Sequence, residues 1–213
     1  MMLPPLLQTI ERLGFKAFDG GHAFNLNLIA IRSRQRDQSA DLFDDWLTCT
    51  YRTETNGRWV SKYWPCTTDP GKQALLNPEV YNVDGTAIVA RGQYRSAYVL
   101  GLHANRYDAI VQRGPNPIQY YRDANRDSQL DLDPATLETG WIGANIHKAG
   151  KDSARISGVN SRGKIWSYSA GCTVLKRDRD FHELLDLAHL QVETHPSWTT
   201  FTYTLINEED LWT

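Results

Sequence analysis

The stretch Asn145-Ile146-His147-Lys148-Ala149-Gly150, followed after a Gly/Ser-rich segment by Trp166-Ser167-Tyr168-Ser169-Ala170-Gly171-Cys172-Thr173-Val174-Leu175, decides how the rest of the chain is read. A small apolar strand over 142–146 runs into His147. Ser169-Ala170-Gly171 delivers Cys172 with almost no side-chain bulk in front of it, and an apolar strand follows. A nucleophilic cysteine needs these conditions: a reachable sulfur, an imidazole that lowers the thiol pKa from about 8.5, and main-chain N–H groups to hold an oxyanion. A cysteine without such a context is usually an inert buried hydrophobe, and Cys49 and Cys66 belong to that class.

Working outward, most of the chain reads as strands. Residues 24–31 form one. Residues 43–65 read as a hairpin rich in Trp, Tyr and Thr about a two-residue Asn56-Gly57 turn. That register sets Cys49 opposite Trp64 with Cys66 diagonal to it, a poor disulfide geometry, so free thiols are expected. Further strands are predicted over 87–90, 94–100, 107–112 and 117–122, and the alternating run Trp198–Ile206 is the clearest late one. Two helices stand out. Residues 6–13 place Leu6, Leu7, Ile10 and Leu13 on one face behind Pro4-Pro5, and Arg179–Val192 places Phe181, Leu184, Leu185 and Ala188 on one stripe. The fold class is mainly β (α+β), a curved sheet or β-sandwich with a few flanking helices. Residues 1–80 are expected as an N-terminal helix and hairpin elaboration packed on a catalytic core over 81–213, the whole forming one compact unit.

The bulk properties exclude several classes. With 213 residues, 41% apolar, 23% charged and a formal charge of −2, the chain has the composition of an ordinary globular protein. No nucleic-acid partner is expected: the basic cluster Arg32-Ser33-Arg34-Gln35-Arg36 is short and followed by acids, which reads as a solvated loop. The longest apolar run, Leu28–Ile31, is far short of the roughly 20 residues that cross a bilayer, and no secretory signal is visible at the start. An enzyme made in the cytoplasm that reaches its substrate after lysis or delivery is the corresponding expectation. No cofactor and no metal is expected, and the oligomeric state is left open.

An Ile-His element, a loop, Ser-x-Gly-Cys, an apolar strand and an amphipathic helix together resemble the L,D-transpeptidase catalytic domain family, over roughly residues 84–192. The segment Arg91-Gly92-Gln93-Tyr94 to Tyr98-Val99-Leu100-Gly101 is similar to that family's Pro-x-Gly-x-Tyr strand. The resemblance implies Cys172 as nucleophile, His147 as base, and Ser169 and Gly171 at the flanking positions. It also implies that the main-chain carbonyl of Lys148 orients the His147 ring, while the Lys148 ammonium, if near, favours thiolate. The N–H groups of Cys172 and Gly171 would hold the oxyanion. The implied substrate and partner is a peptidoglycan stem peptide, cleaved beside its third residue through an acyl-enzyme that passes to water or to an amine, with hydrolysis slightly favoured. Three positions depart from the family pattern: Ala170 stands where the family has His, Lys148 follows the base, and Val174 replaces Arg or Asn. They bear on substrate choice more than on thiol chemistry. The alternatives are a non-catalytic wall- or glycan-binding or virion structural module that keeps the fold, and another kind of Cys-His peptidase.

Upstream, Asp123-Ala124-Asn125-Arg126-Asp127-Ser128-Gln129-Leu130-Asp131 repeats oxygen acceptors at alternate positions, like the start of an EF-hand loop. Position 6 is Ser128 where glycine is usual, and position 12 is Pro134 where an acid is usual. A polar, Asx-rich turn is the plainer reading, with calcium binding the alternative.

Overall fold

Eleven strands and three helices occupy the described residues of the computed structural model, which are 2–33, 42–149 and 168–212. The Gly/Ser-rich segment before Tyr168 and Arg34–Arg36 of the basic cluster lie outside them. In chain order the elements are α1 (Pro5–Arg12), β1 (Asn27–Arg32), β2 (Asp45–Arg52), β3 (Trp59–Thr67), α2 (Lys72–Leu76), β4 (Thr86–Val89) and β5 (Gly92–His103). There follow β6 (Tyr107–Val111), β7 (Ile118–Asp123), β8 (Glu138–Gly140), β9 (Ile146–Lys148), β10 (Thr173–Leu175), α3 (Asp178–Thr194) and β11 (Thr200–Asn207).

Eight strands close into a barrel in the order β1-β11-β5-β6-β9-β10-β3-β2, while β4, β7 and β8 form a separate antiparallel sheet. Two barrel pairs are parallel: β1 with β11 (Leu28 opposite Tyr203) and β9 with β10. Alternation explains the closure, because successive side chains of a strand point to opposite faces. Leu28 and Ala30, Leu47 and Cys49, and Tyr203 and Leu205 face one core, joined by Tyr98, Ile110, Ile146 and Leu175. Ile29 and Ile206 face outward and are covered by Leu7 and Ile10 of α1. On α3, Phe181, Leu184, Leu185 and Ala188 pack against the main core, the stripe that their spacing predicts. Among the described residues no helix is long and apolar enough to cross a membrane.

Three expectations need correction. Residues 1–80 are not only an extra layer or flank: β1, β2 and β3 are barrel strands, and β3 pairs directly with β10 beside Cys172. The β2–β3 connection is not a two-residue turn, since Arg52 pairs with Trp59 and the loop spans 53–58. Asn56 there sits at φ +56°, and Gly57 N–H donates to Glu54 O. Cys49 therefore faces Lys62, and Cys66 faces Asp45. Both are buried free thiols. Third, the strand into His147 begins later than expected, at Ile146, because 142–145 are held as a loop by a side chain described below.

A buried polar knot ties the barrel to the segment that carries Cys172. Arg32 is 1% exposed. Its Nε lies 2.8 Å from Asp69 Oδ1 and donates to Thr68 Oγ1, and its Nη2 donates to Val89 O. Asp45 accepts from Ser33 N–H, Thr68 N–H and Thr68 Oγ1. Burial, aided by the Asp69 charge, pushes the Asp45 carboxyl up to about 7. The loop so anchored ends at Gly71, whose N–H donates to Ser169 O at 2.9 Å.

Candidate active site

Strands β9 and β10 place the two residues of interest. Thr173 lies opposite Ile146 and Val174 opposite His147 in a parallel pair. Paired residues of parallel strands share a face, so Ile146, Thr173 and Leu175 point into the barrel, and Thr173 Oγ1 meets Tyr203 Oη at 2.8 Å. His147, Val174 and, two residues before it, Cys172 take the other face. A strand spacing of about 4.8 Å and two steps of about 3.3 Å put the main chains of Cys172 and His147 roughly 8 Å apart, which two side chains can span.

The turn before Cys172 is rigid for identifiable reasons. Gly171 has φ +114°, and a Cβ there would sit 2.5 Å from Ala87 O. Only glycine fits such a position. Gly171 N–H donates to Ser169 Oγ at 3.2 Å, and Ser169 Oγ donates to Cys172 O at 2.9 Å. The Gly171 N–H expected to hold an oxyanion is thus engaged within the turn, and Ser169 acts as its brace.

Cys172 is half-buried, with its sulfur 3.6 Å from Gly143 O. The sequence reading expected a lowered thiol pKa. Instead, burial pushes Cys172 up from its ordinary 9.0 to about 11, and the Asn145 main-chain N–H, directed at the sulfur, only partly opposes this. Burial also drives His147 down from 6.5 to about 3, helped by the neighbouring His103. The resting pair is a neutral thiol and a neutral imidazole.

His147 Nδ1 lies 2.8 Å from Lys148 O, the main-chain partner that the resemblance implied, and 3.4 Å from Tyr107 Oη. A carbonyl can only accept, so Nδ1 carries the proton and Nε2 keeps its lone pair. The Lys148 ammonium is engaged by other groups. It lies 3.8 Å from Asp178 Oδ2, at the start of α3, and 5.1 Å from the centre of the Tyr107 ring.

Four residues that sequence reasoning did not assign complete the arrangement. His103 stacks on His147 with ring centroids 4.0 Å apart and meets Asn145 Nδ2 at 3.1 Å through Nδ1. Tyr107 lies at the Nδ1 edge of His147, and burial raises its phenol to about 12, so it stays protonated. Gln112, 1% exposed, shapes the loop that faces the sulfur. Its Oε1 accepts from the N–H groups of Ile142, Gly143 and Ala144 at 2.9, 2.8 and 3.3 Å. Its own N–H donates to Asn145 Oδ1. The one available signal was a polar residue ending the apolar run Ala109-Ile110-Val111-Gln112. Trp141, 59% exposed, stands two residues from Gly143, and its Nε1 donates to Gly114 O.

The acidic segment lies elsewhere, in the connection from β7 to β8 on the smaller sheet, and there Asp123, Asn125, Asp127 and Asp131 do come together. Among the described residues no three His, Cys, Asp or Glu side chains already converge in a manner suited to a metal. Comparison of the chain with protein families, with curated proteins and with solved structures gives no match.

Proposed function

We propose that the protein is a cysteine-dependent acyl transferase of the L,D-transpeptidase kind, acting on peptidoglycan stem peptides, with Cys172 as nucleophile and His147 as base. The observation that carries this reading is the 2.8 Å approach of His147 Nδ1 to Lys148 O, which leaves Nε2 as a proton acceptor on the face that Cys172 shares. Because thiol and imidazole are both neutral at rest, the proton leaves Sγ as the sulfur attacks, in the manner of a serine hydroxyl beside a neutral histidine. Cys172 N–H, the main-chain donor at the sulfur's own residue, would hold a developing oxyanion. The bond from sulfur to acyl carbon forms as the amine departs with the proton held by His147. Water or a second amine then releases the acyl group. Trp141, exposed two residues from Gly143, offers an apolar surface for the peptide.

A second reading is a wall-binding module that keeps the fold without the chemistry. The same neutral pair favours it, since neither residue is ionised in advance. One experiment separates the readings: matched stem tetrapeptides that differ only in the terminal D or L centre, with products followed by mass. The proposal expects loss of the terminal residue or gain of a cross-link with the D form only, since misplacing reacting atoms by about 1 Å can cost on the order of a hundredfold. It also expects abolition of both in Cys172→Ala. Equal cleavage of the L form points to a general cysteine peptidase. No turnover of either, with wall binding retained, points to the module.

A further inference from the structure

We infer that the segment from Asp123 to Asp131 is a calcium site, formed by the carboxylates of Asp123, Asp127 and Asp131 with the side-chain oxygen of Asn125. The inference does not rest on the proposed function. Three carboxylates fall within nine residues at the end of β7 and in the connection after it; they do not converge on one point here, and two of them are bridged by a single amide. Asn125 Nδ2 donates to Asp127 Oδ2 at 3.0 Å and to Asp131 Oδ2 at 2.7 Å, so a weak neutral donor stands between two anions.

The independent observation is Asp123. Its side chain is buried, with the residue 1% exposed, yet Oδ1 has no hydrogen-bond partner. Its Oδ2 accepts from Asp131 N–H at 3.1 Å, which turns the carboxyl into the loop. A buried carboxylate oxygen without a hydrogen-bond partner, on a carboxyl tied to the main chain of Asp131, is costly unless a cation completes it.

The backbone agrees with the donor spacing. Asp127 N–H donates to Asn125 Oδ1 and Gln129 N–H to Asp127 Oδ1, so the acceptors alternate along a tightly wound loop. Ser128, at the sixth position, adopts φ +66°, the conformation for which glycine is usual in calcium loops. Rotation of the Asn125 amide would present its oxygen in place of its nitrogen. The main-chain carbonyl of Gln129 stands at the seventh position of the repeat. Pro134 supplies no carboxylate at the twelfth and Asp133 is engaged in capping the next turn through Ala135 N–H, so water would fill the remaining positions. Hard oxygen donors with an incomplete acid count favour calcium over the smaller, stricter magnesium, with a Kd on the order of 10⁻⁴ to 10⁻³ M.

The test uses the full chain, stripped with chelator and dialysed, then titrated with calcium chloride by calorimetry and by thermal melting. The expected result is one saturable site and a melting temperature raised by roughly 3–10 °C in about 10 mM calcium. Asp127→Ala, at an exposed position, should shift the melting temperature in chelator by no more than about 4 °C through its lost loop hydrogen bonds and weaken calcium binding at least about tenfold. It decides the question even if Asp123→Asn, at the buried position, fails to fold. An unchanged melting curve without saturable heat overturns the inference. So does an Asp127→Ala protein that binds calcium as the parent does, or a magnesium response equal to that of calcium.

Discussion

Cys172 and His147 are shifted in opposite directions, both away from ionisation, and the common cause is burial. The consequence for Cys172 is a reactivity profile unlike that of a preformed thiolate. Iodoacetamide should label Cys172 before Cys49 or Cys66, because only Cys172 is partly exposed. Its rate should climb about tenfold per pH unit toward 11 without levelling near neutrality. A plateau beginning below about pH 8 would show instead an ionised thiolate–imidazolium pair. The residue type and the Ser-Ala-Gly approach were legible in the sequence. The direction of the pKa shift was not, because it depends on how deeply the sulfur and the ring are covered, and spacing along the chain carries no measure of depth. His103 was illegible for a related reason: it sits at the far end of β5 and reaches His147 only through the antiparallel β5–β6–β9 neighbours.

At the scale of elements, the site depends on two backbone devices. The first is the glycine turn before β10. Gly171→Ala would force a side chain into φ +114° and against Ala87 O. The backbone term alone costs about 1–3 kcal/mol, and relief of the contact would shift Cys172. Denaturant unfolding should show the loss of stability, and alkylation of Cys172 should change even where the variant folds. The second device is Gln112, which gathers three N–H groups of the loop facing the sulfur. Strands and helices with strong periodicity, such as β11 and α3, were predictable within about two residues from pattern alone. The 142–145 loop was misread as strand because its apolar residues suit a strand, while its hydrogen bonds go to a glutamine side chain some thirty positions away. The β2–β3 turn failed similarly: Asn-Gly favours a two-residue turn, but the pairing that aligns Leu47 with Trp64 over the core requires a longer loop.

At the scale of the whole molecule, buried His147 sets a stability window. A histidine that stays neutral when folded but charges freely when unfolded gives the unfolded chain the extra proton. Stability from this group is therefore complete above its unfolded value of 6.5 and falls as pH drops toward about 3. The slope is about 1.4 kcal/mol per pH unit within that window. Melting temperatures between pH 7 and pH 4 should decline for the parent and decline less for His147→Gln. Equal slopes would mean that His147 takes up its proton without unfolding. The mainly β character was legible from composition and alternation, but the closed topology was not. No local signal states that β3 ends beside β10, which is why residues 1–80 read as an addition and prove to be three barrel staves.

The parallel seam between β1 and β11 joins Leu28 to Tyr203, nearly the full described length apart. During synthesis β1 can pair with β2 at once, but its other edge has no partner until β11 has been made. Through that interval Ile29 and Ile31 alternate with a row of open N–H and C=O groups, the arrangement that recruits stray strands. Helix α1, made before β1 and covering Ile29 in the finished protein, is placed to shield this edge early. Barrel closure then waits on the longest-range strand pairing among the described residues, so folding should be slow for a chain of this size and sensitive to how fast the last strand arrives.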